Sequence, residues 1–550
     1  MNALVPLPVL LPLCATGLSL AFGTRLGRFQ RFISVAVLTA VTALSAILLV
    51  AADRQGPLSV HLGDFAPPLG ITLVADRLSG LMLTVSSAVT LCVLVYSLGQ
   101  GMTDRDKETP LAVFHPAYLI LVAGVSCTFL AGDLVNLYVG FEIMLVASFV
   151  LLTLGGTGPR MRAGSTYVII SLFSSMLFLT AIAMTYAATG TVNFGQLAVR
   201  LPELPIGVQT LIQAMLLTVF AIKAAVFPLA AWLPDSYPTA PAPVTAVFAG
   251  LLTKVGVYCM LRVETLLFPG NRIGDLLMAI ALASMVIGIL GAVAQTDLKR
   301  LLSFTLISHI GYMVFGIGLA TREAYGGAIL YVAHHITVQT TLFLVAGLIE
   351  RRGGTTELTR LGGMARAAPM LALLFFVPAM NLAGIPPLSG FIGKLGLMRA
   401  GVADGGGWAW VLVAGSAATS LLTLYVVAKV WNLAFWRAAP PGQAAAGTVL
   451  ECGDDSDEDP DAGPDRIRGT GDEGVAPAHR PAGRALGATL RGRAVTTTGR
   501  LPRPMTAATA ATIAIGLSFT VFAGPLTAYT DRTAVELLQR TPYIQEVLGR

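Results

Sequence analysis

The sequence predicts an all-α polytopic membrane protein of about 14 transmembrane helices, two of them broken by proline and glycine. Three observations point there. Of the 550 residues, 55% are hydrophobic and only 12% are Asp, Glu, Lys or Arg, roughly half the charged share of a soluble protein. Apolar stretches recur at about the 20 residues a helix needs to cross a bilayer. Basic residues gather in every second loop, the pattern of positive charge on the cytoplasmic side of a membrane. A water-soluble fold is excluded.

Fourteen segments meet the length criterion: 4–22, 32–52, 72–100, 112–130, 133–154, 165–188, 208–233, 243–263, 276–297, 300–319, 324–349, 369–403, 407–436 and 506–530. Residues 1–22 have no Lys or Arg ahead of them and are followed by Arg25, Arg28 and Arg31, the mark of a retained helix whose N-terminus lies outside. With that orientation, the inside loops before residue 437 carry thirteen Lys/Arg and the outside loops seven. Both termini are then expected outside, in a prokaryotic plasma membrane. The net charge of +6 reflects topology, and no nucleic-acid partner is implied. The five cysteines form no CxxC pair, so neither an iron–sulfur cluster nor a disulfide framework is indicated.

Charge is also uneven along the chain, with 19 Asp, Glu, Lys and Arg in residues 437–505. An acidic block there (Glu451, Asp454, Asp455, Asp457, Glu458, Asp459, Asp461, Asp465) runs into a basic Gly/Pro/Ala-rich stretch without apolar periodicity. Such a composition cannot form a packed core, and a disordered cytoplasmic insert is expected. It reads as a tolerated insertion more readily than as a partner-binding loop.

Segment seven is interrupted at Phe227-Pro228 and segment twelve inside NLAGIPPLSG, residues 381–390. Interrupted helices at matching places in two halves point to a transport path at the interface of inverted repeats. Seven and twelve are five apart, so segments four to eight would repeat as nine to thirteen. An odd helix count turns the second copy upside down. The chain then divides into helices 1–3 (1–111), a first repeat (112–263), a second repeat (276–436), the insert (437–505), and helix 14 with its tail (506–550).

Of 30 arginines none lies at the middle of an apolar segment, whereas three of six lysines do: Lys223, Lys254 and Lys394. The distinction is chemical, because a desolvated ammonium can give up its proton and a guanidinium cannot. A lysine at a helix centre costs about 2.5–3.5 kcal/mol on insertion scales, which favours a functional reading over snorkelling or bonding to carbonyls. Lys429, nearer a helix end, divides evenly between the two. Glu142 is the single mid-segment carboxylate, and one of the lysines is its expected partner.

His309, His334 and, with less weight, His335 stand in otherwise apolar helices, where an imidazole can relay protons. The five-segment offset pairs Lys223 with Lys394, Lys254 with Lys429 and Glu142 with His309. A line of titratable groups across the membrane plane suits lateral proton transfer. Asp133, Asp235, Asp297 and Glu264 sit at segment ends, where water is the expected partner. No metal-ligand spacing, nucleophile, phosphate loop or nucleotide motif is present, so neither metal, cofactor nor covalent chemistry is expected.

The run FPLAAWLPDSYPTAPAPVTAVFAGLLTKVGVY (227–258), ISHIGY in segment ten and NLAGIPPLSGFIGKLG (381–396) resemble the antiporter-like membrane subunits shared by respiratory complex I and the multisubunit Mrp cation/proton antiporters. The resemblance spans about residues 70–436. FEIMLVASFVLLTLGG and the fourteen-helix length are most similar to the D-type subunit. This resemblance implies a fourteen-helix fold with broken helices seven and twelve and a hydrophilic axis in the midplane. It places the family's helix-five glutamate at Glu142 and its lysines of helices seven, eight and twelve at Lys223, Lys254 and Lys394. The implied role is translocation of protons, coupled to Na+ or another monovalent cation, beside several other membrane subunits. Two departures stand out. Gln339 occupies a position where many relatives have lysine, which throws weight onto His334, and the charged insert is longer than the D-type pattern.

Two activities fit these residues. One is a secondary transporter subunit exchanging cytoplasmic Na+ for external protons, which is not an enzyme. The other is the pumping subunit of NADH:quinone oxidoreductase (NADH dehydrogenase) or a related membrane-bound hydrogenase. A bare scaffold would not require four buried titratable residues.

Overall fold

The computed structural model describes residues 1–22, 29–100, 111–438 and 501–549. The body of the charged insert therefore lies outside the described residues. So do Arg25, Arg28, Arg105 and Lys107, four of the basic residues that set the expected orientation.

Helices form where the apolar stretches fall. They are α1 (Leu7–Phe22), α2 (Phe29–Gln55), α3 (Arg77–Gln100), α4 (Leu111–Leu130), α5 (Leu134–Thr153), α6 (Gly158–Thr189) and α7 (Ile206–Ala224). There follow α8 (Ala242–Leu267), α9 (Gly274–Ala294), α10 (Leu298–Leu319) and α11 (Arg322–Gly353). The chain continues through α12 (Pro369–Ala383), α13 (Ser389–Asp404), α14 (Gly407–Trp436), α15 (Arg503–Val521), α16 (Ala523–Gln539) and α17 (Thr541–Leu548). Among the described residues thirteen helices are long and apolar enough to span a membrane. Segment twelve is divided between α12 and α13, neither of which is among the thirteen.

The helix starts follow capping chemistry. Asp133 accepts from the Asn136 amide at 2.7 Å to open α5, and Asp297 accepts from the Arg300 amide at 2.9 Å to open α10, each satisfying a donor that a helix N-terminus leaves unpaired. Asp76 and Ser79 cap α3 reciprocally, amide to side chain in both directions at 2.9 and 2.8 Å.

The two expected interruptions coincide with helix ends. α7 stops where Ala225 turns left-handed (φ 56), and the freed Phe227 amide donates to Ser284 Oγ of α9 at 3.0 Å. α12 stops at Gly384 (φ 85), a conformation glycine adopts without a Cβ penalty.

Two segment boundaries are corrected. The all-α fold carries one short hairpin, in which β1 (Leu58–His61) pairs antiparallel with β2 (Thr72–Ala75). Segment three therefore begins at Arg77 rather than 72, because Thr72 and Val74 are β-branched and the run Thr72–Ala75 pairs across the hairpin. The last segment is not one helix over 506–530. It bends at Phe522, where Pro525 removes a donor and crowds the carbonyl four residues back, and α16 is no span.

α8, α10 and α11 are buried almost throughout and form the interior. α1, α2, α6 and α15 turn large apolar residues outward, among them Leu20, Phe32, Phe173 and Val521. An all-apolar exterior is the expected surface for lipid or for neighbouring membrane subunits.

Candidate functional site

The close approach of helices sets the level of the titratable residues. A Cβ on Gly256 of α8 would lie 2.6 Å from the Ala224 amide nitrogen of α7, and one on Gly250 would lie 2.0 Å from Thr340 Oγ1 of α11. Glycine alone lets α8 pass between these neighbours. The crossings bring Lys223, Lys254 and the middle of α11 to one depth.

The Lys223 ammonium lies 5.6 Å from the centre of the Phe141 ring of α5 and faces a cavity of about 30 Å³ bordered by Phe141, Tyr167, Ser171, Trp232 and Tyr237. That volume suffices for a water molecule. Glu142, next to Phe141, is within charge range of Lys223. Its Oε1 is nevertheless buried without a hydrogen-bond partner, and no ion pair joins the two. The expected charge pair is thus corrected to a carboxylate and an ammonium within charge range of each other but not in contact.

Lys254 is fully buried and donates to the Ala249 carbonyl at 2.5 Å. That carbonyl lies in a π turn, Phe248–Leu252, where the widened ladder frees backbone acceptors. Lys394, 3% exposed, donates to the Leu382 and Ala383 carbonyls, both at 3.1 Å, at the C-terminal end of α12 where the dipole is negative. Two of the three central lysines are therefore carbonyl-bonded, the arrangement that insertion cost alone disfavours. Lys429 donates to the Val293 and Gln295 carbonyls at 2.8 Å and caps α9, a structural role.

Between Lys254 and Lys394 lies a cluster of three histidines and two tyrosines. The Lys394 ammonium is 5.1 Å from the Tyr312 ring centre, and Tyr312 and Tyr331 are 5.4 Å apart. Tyr331 hydrogen-bonds to His309 Nδ1 at 2.5 Å. His309 stacks on His335 at 5.1 Å, and His334 Nδ1 meets Ser389 Oγ, at the start of α13, at 3.0 Å. His309 Nε2, His334 Nε2 and both nitrogens of His335 are buried without a hydrogen-bond partner. Buried polar atoms of this kind are satisfied by internal water in native proteins. Lys254 and Lys394 both lie within charge range of His335.

Of the six residues singled out in the sequence, Glu142 of α5 and Lys223 of α7 lie within charge range of each other, and Lys254, His309, His334 and Lys394 of α8, α10, α11 and α13 gather around the histidine cluster. Sequence gives His335 the least weight of the three histidines, yet it stands between the two lysines. Tyr312 and Tyr331 escape a sequence reading because a buried tyrosine carries no distinctive spacing. Gln339 donates to the Leu302 carbonyl at 2.8 Å and fixes α11 against α10.

The expectation of water as partner fails for the buried Asp133 and Glu264, whereas Asp235 stays exposed and Asp297 half-exposed. Asp133 and Asp297 are helix caps, Asp235 pairs with Arg300 at 3.0 Å, and Glu264 is buried against Gln213. Burial raises the Asp133 carboxyl despite the amides of Asn136 and Thr72. Arg262, at the end of segment eight, forms a buried two-pronged pair with Asp76 at 2.6 and 2.9 Å. Against the cost of burial, this guanidinium holds Asp76 below the ordinary carboxylate value. Breaking such a pair leaves one charge uncompensated, about 3–5 kcal/mol. Asp76→Asn should therefore lower the thermal stability of the purified protein sharply, while the double change Asp76→Leu with Arg262→Met should recover most of it. Equal melting of Asp76→Asn and wild type would contradict this.

The profile described as NADH:quinone oxidoreductase/Mrp antiporter, transmembrane, matches residues 131–423. The D-type subunit of a Na+/H+ antiporter of Alkalihalophilus pseudofirmus is 42% identical over 79% of this chain and 87% of its own length. The chain belongs to this family. A second relative, the D-type subunit of a Na+/H+ antiporter of Bacillus subtilis, is 36% identical over 79% of this chain and 87% of its own. A chain in the solved Mrp complex of Dietzia sp. DQ12-45-1b superposes with a TM-score of 0.83 at 29% identity over 100% of both chains. Respiratory complex I of Thermus thermophilus contains a chain with the same fold, TM-score 0.73 at 23% identity, over 97% of this chain and 99% of that one. The family match spans both lysine-bearing interruptions and the histidine cluster.

Proposed function

We propose that this chain is the proton-translocating membrane subunit of a multisubunit Na+/H+ antiporter, moving protons sideways along Glu142, Lys223, Lys254, the His309/His334/His335 cluster and Lys394. The single observation that carries the reading is the convergence of Lys254, His309, His334, His335 and Lys394, all buried, on the interior helices, with Lys223 and Glu142 on the adjoining α7 and α5. The 42% identity to a protein named as the D-type subunit of a Na+/H+ antiporter favours cation exchange over redox-driven pumping. The solved Mrp complex supports other membrane subunits as partners, with protons and Na+ as substrates. The reading includes a bacterial plasma membrane, both termini outside, and repeats over 112–263 and 276–436. It assigns no enzymatic step.

The test is to express the chain with its neighbouring membrane-subunit genes in antiporter-deficient cells. Everted vesicles should show a pH gradient that collapses on adding Na+ without NADH or quinone. Proton movement that requires NADH and ignores Na+ would select the redox-pump alternative.

We expect the C-terminal helices to act as a pH-dependent clasp on the same protein. α16 and α17 are tied down by Arg532 to Asp53 at 2.7 Å, by Glu536 to Arg77, and by Glu546 to the Ser59 amide at 3.0 Å. Burial, reinforced by the Asp76 carboxylate, pushes Glu536 from 4.5 up to about 7 against the pull of Arg77 and Arg262. A carboxyl raised on docking stabilises the docked tail in its protonated form. That contribution is complete below about 4.5 and is lost as pH rises through about 7. Hydrogen exchange in 523–548, corrected for its intrinsic rate, should accelerate through that window, and Glu536→Gln should flatten the dependence. A wild-type profile already flat would contradict it.

A further inference from the structure

Glu264 stands in a second π turn of α8, Val263–Leu267, and takes no part in the row described above. It is 5% exposed, and its partner Gln213 on α7 is 1% exposed. Gln213 Nε2 donates to Glu264 Oε1 at 2.8 Å, while Gln213 Oε1 is buried without a hydrogen-bond partner. Among the described residues no cation pairs with Glu264. Arg262, two positions back, is held by Asp76. Arg272 donates to Gln209, one turn of α7 from Gln213. The phenol of Tyr325, at the start of α11, is the other titratable group within charge range.

A carboxylate in this place has lost its water and gained no counter-charge. A carboxylic acid fits better. It accepts from the amide nitrogen with one oxygen and can donate its O–H to an amide oxygen with the other, and the amide oxygen of Gln213 lacks a donor.

Depth gives the pair a place in transport. Gln213 precedes Lys223 by ten residues on α7, Glu264 follows Lys254 by ten on α8, and Tyr325 precedes His335 by ten on α11. Ten residues rise about 15 Å, half of the roughly 30 Å hydrocarbon core. Three helices therefore set this layer at one face of the core, the face that carries the β1–β2 hairpin and α17, whose Tyr543 ring lies 5.2 Å from Arg262.

We propose that Glu264 is a proton-exchange residue between the midplane row and this face of the membrane, holding its proton against Gln213 and releasing it toward the surface. The inference rests on the midplane row being a proton route. Two oxygens converge at the pair, one from a carboxyl and one from an amide, which suits a proton rather than a sodium ion.

The test uses the assembled complex. Infrared difference spectra of the wild type, titrated from neutral to alkaline pH without Na+, should show a protonated-carboxyl C=O stretch that is lost reversibly and is absent from Glu264→Gln. Glutamine keeps an amide partner for Gln213, so assembly should be unaffected, while antiport should fall by about 100-fold and Glu264→Asp should restore part of it. A spectrum without that band, a band unchanged by alkali, or near wild-type antiport by Glu264→Gln would overturn the proposal. A band removed by Na+ at constant pH would overturn it too, in favour of a cation site. Wild-type vesicles without Na+-dependent proton movement would count against the antiporter reading, and the infrared titration would still decide whether Glu264 exchanges a proton.

Discussion

Glu142→Gln and Lys223→Ala are each expected to abolish Na+-dependent proton movement while leaving the protein in the membrane with its partners. The structure alters the reason for this. The two charges do not touch, since Lys223 lies over the Phe141 ring at 5.6 Å and Glu142 Oε1 has no hydrogen-bond partner. Neither group is locked in an ion pair, so removing either changes the field along the proposed path without breaking a structural contact. Removing the carboxylate takes away a negative charge that acts on Lys223. Removing the ammonium takes away the cation within charge range of Glu142. Folding should survive both changes, because no ion pair is broken. Vesicle assays of each variant, with protein levels measured by blotting, decide the matter. Full activity at normal expression in either variant would remove this pair from the path.

Much of this could be read from the residues alone. The segments that became α1 to α15 were legible because a bilayer imposes a length of apolar sequence that no loop mimics. The ends of α7 and α12 were legible because proline and glycine carry their backbone constraints visibly. Lysines at the centres of apolar helices stand out because burial of charge is costly. What escaped was whatever depends on a neighbour distant in sequence. Nothing in the sequence marks Arg262 as the partner of Asp76, 186 residues away. Glu264 looked solvated because the sequence does not tell that α7 covers the end of α8. His335 looked like the lesser member of a pair because nothing in HH spacing says which imidazole faces His309. The strand at Thr72–Ala75 hid inside an apolar run, where helix and strand have the same composition and only pairing with Leu58–His61 separates them.

Lys394→Arg is expected to lose antiport by about 100-fold, the scale of a lost proton-transfer group, and to do so without loss of assembly. The ammonium sits at the C-terminal end of α12, bonded to two carbonyls at 3.1 Å and 5.1 Å from the Tyr312 ring centre. Carbonyls and a ring face favour a cation and attract either side chain, so a residue needed only for its positive charge would tolerate arginine. Carbonyls cannot accept a proton permanently, however, and among the described residues no carboxylate pairs with Lys394. That leaves the proton exchangeable with the neighbouring imidazoles, which arginine cannot match at any working pH. Bulk is the competing cause of failure, since a Cβ on Gly384 would already lie 3.1 Å from the Lys394 Cδ. Lys394→Met keeps the chain length and removes the charge, so it reports packing. Assembly of both variants with antiport lost in both assigns a relay lysine. Near wild-type antiport by Lys394→Arg across the alkaline range would make the residue a fixed electrostatic element at the broken helix.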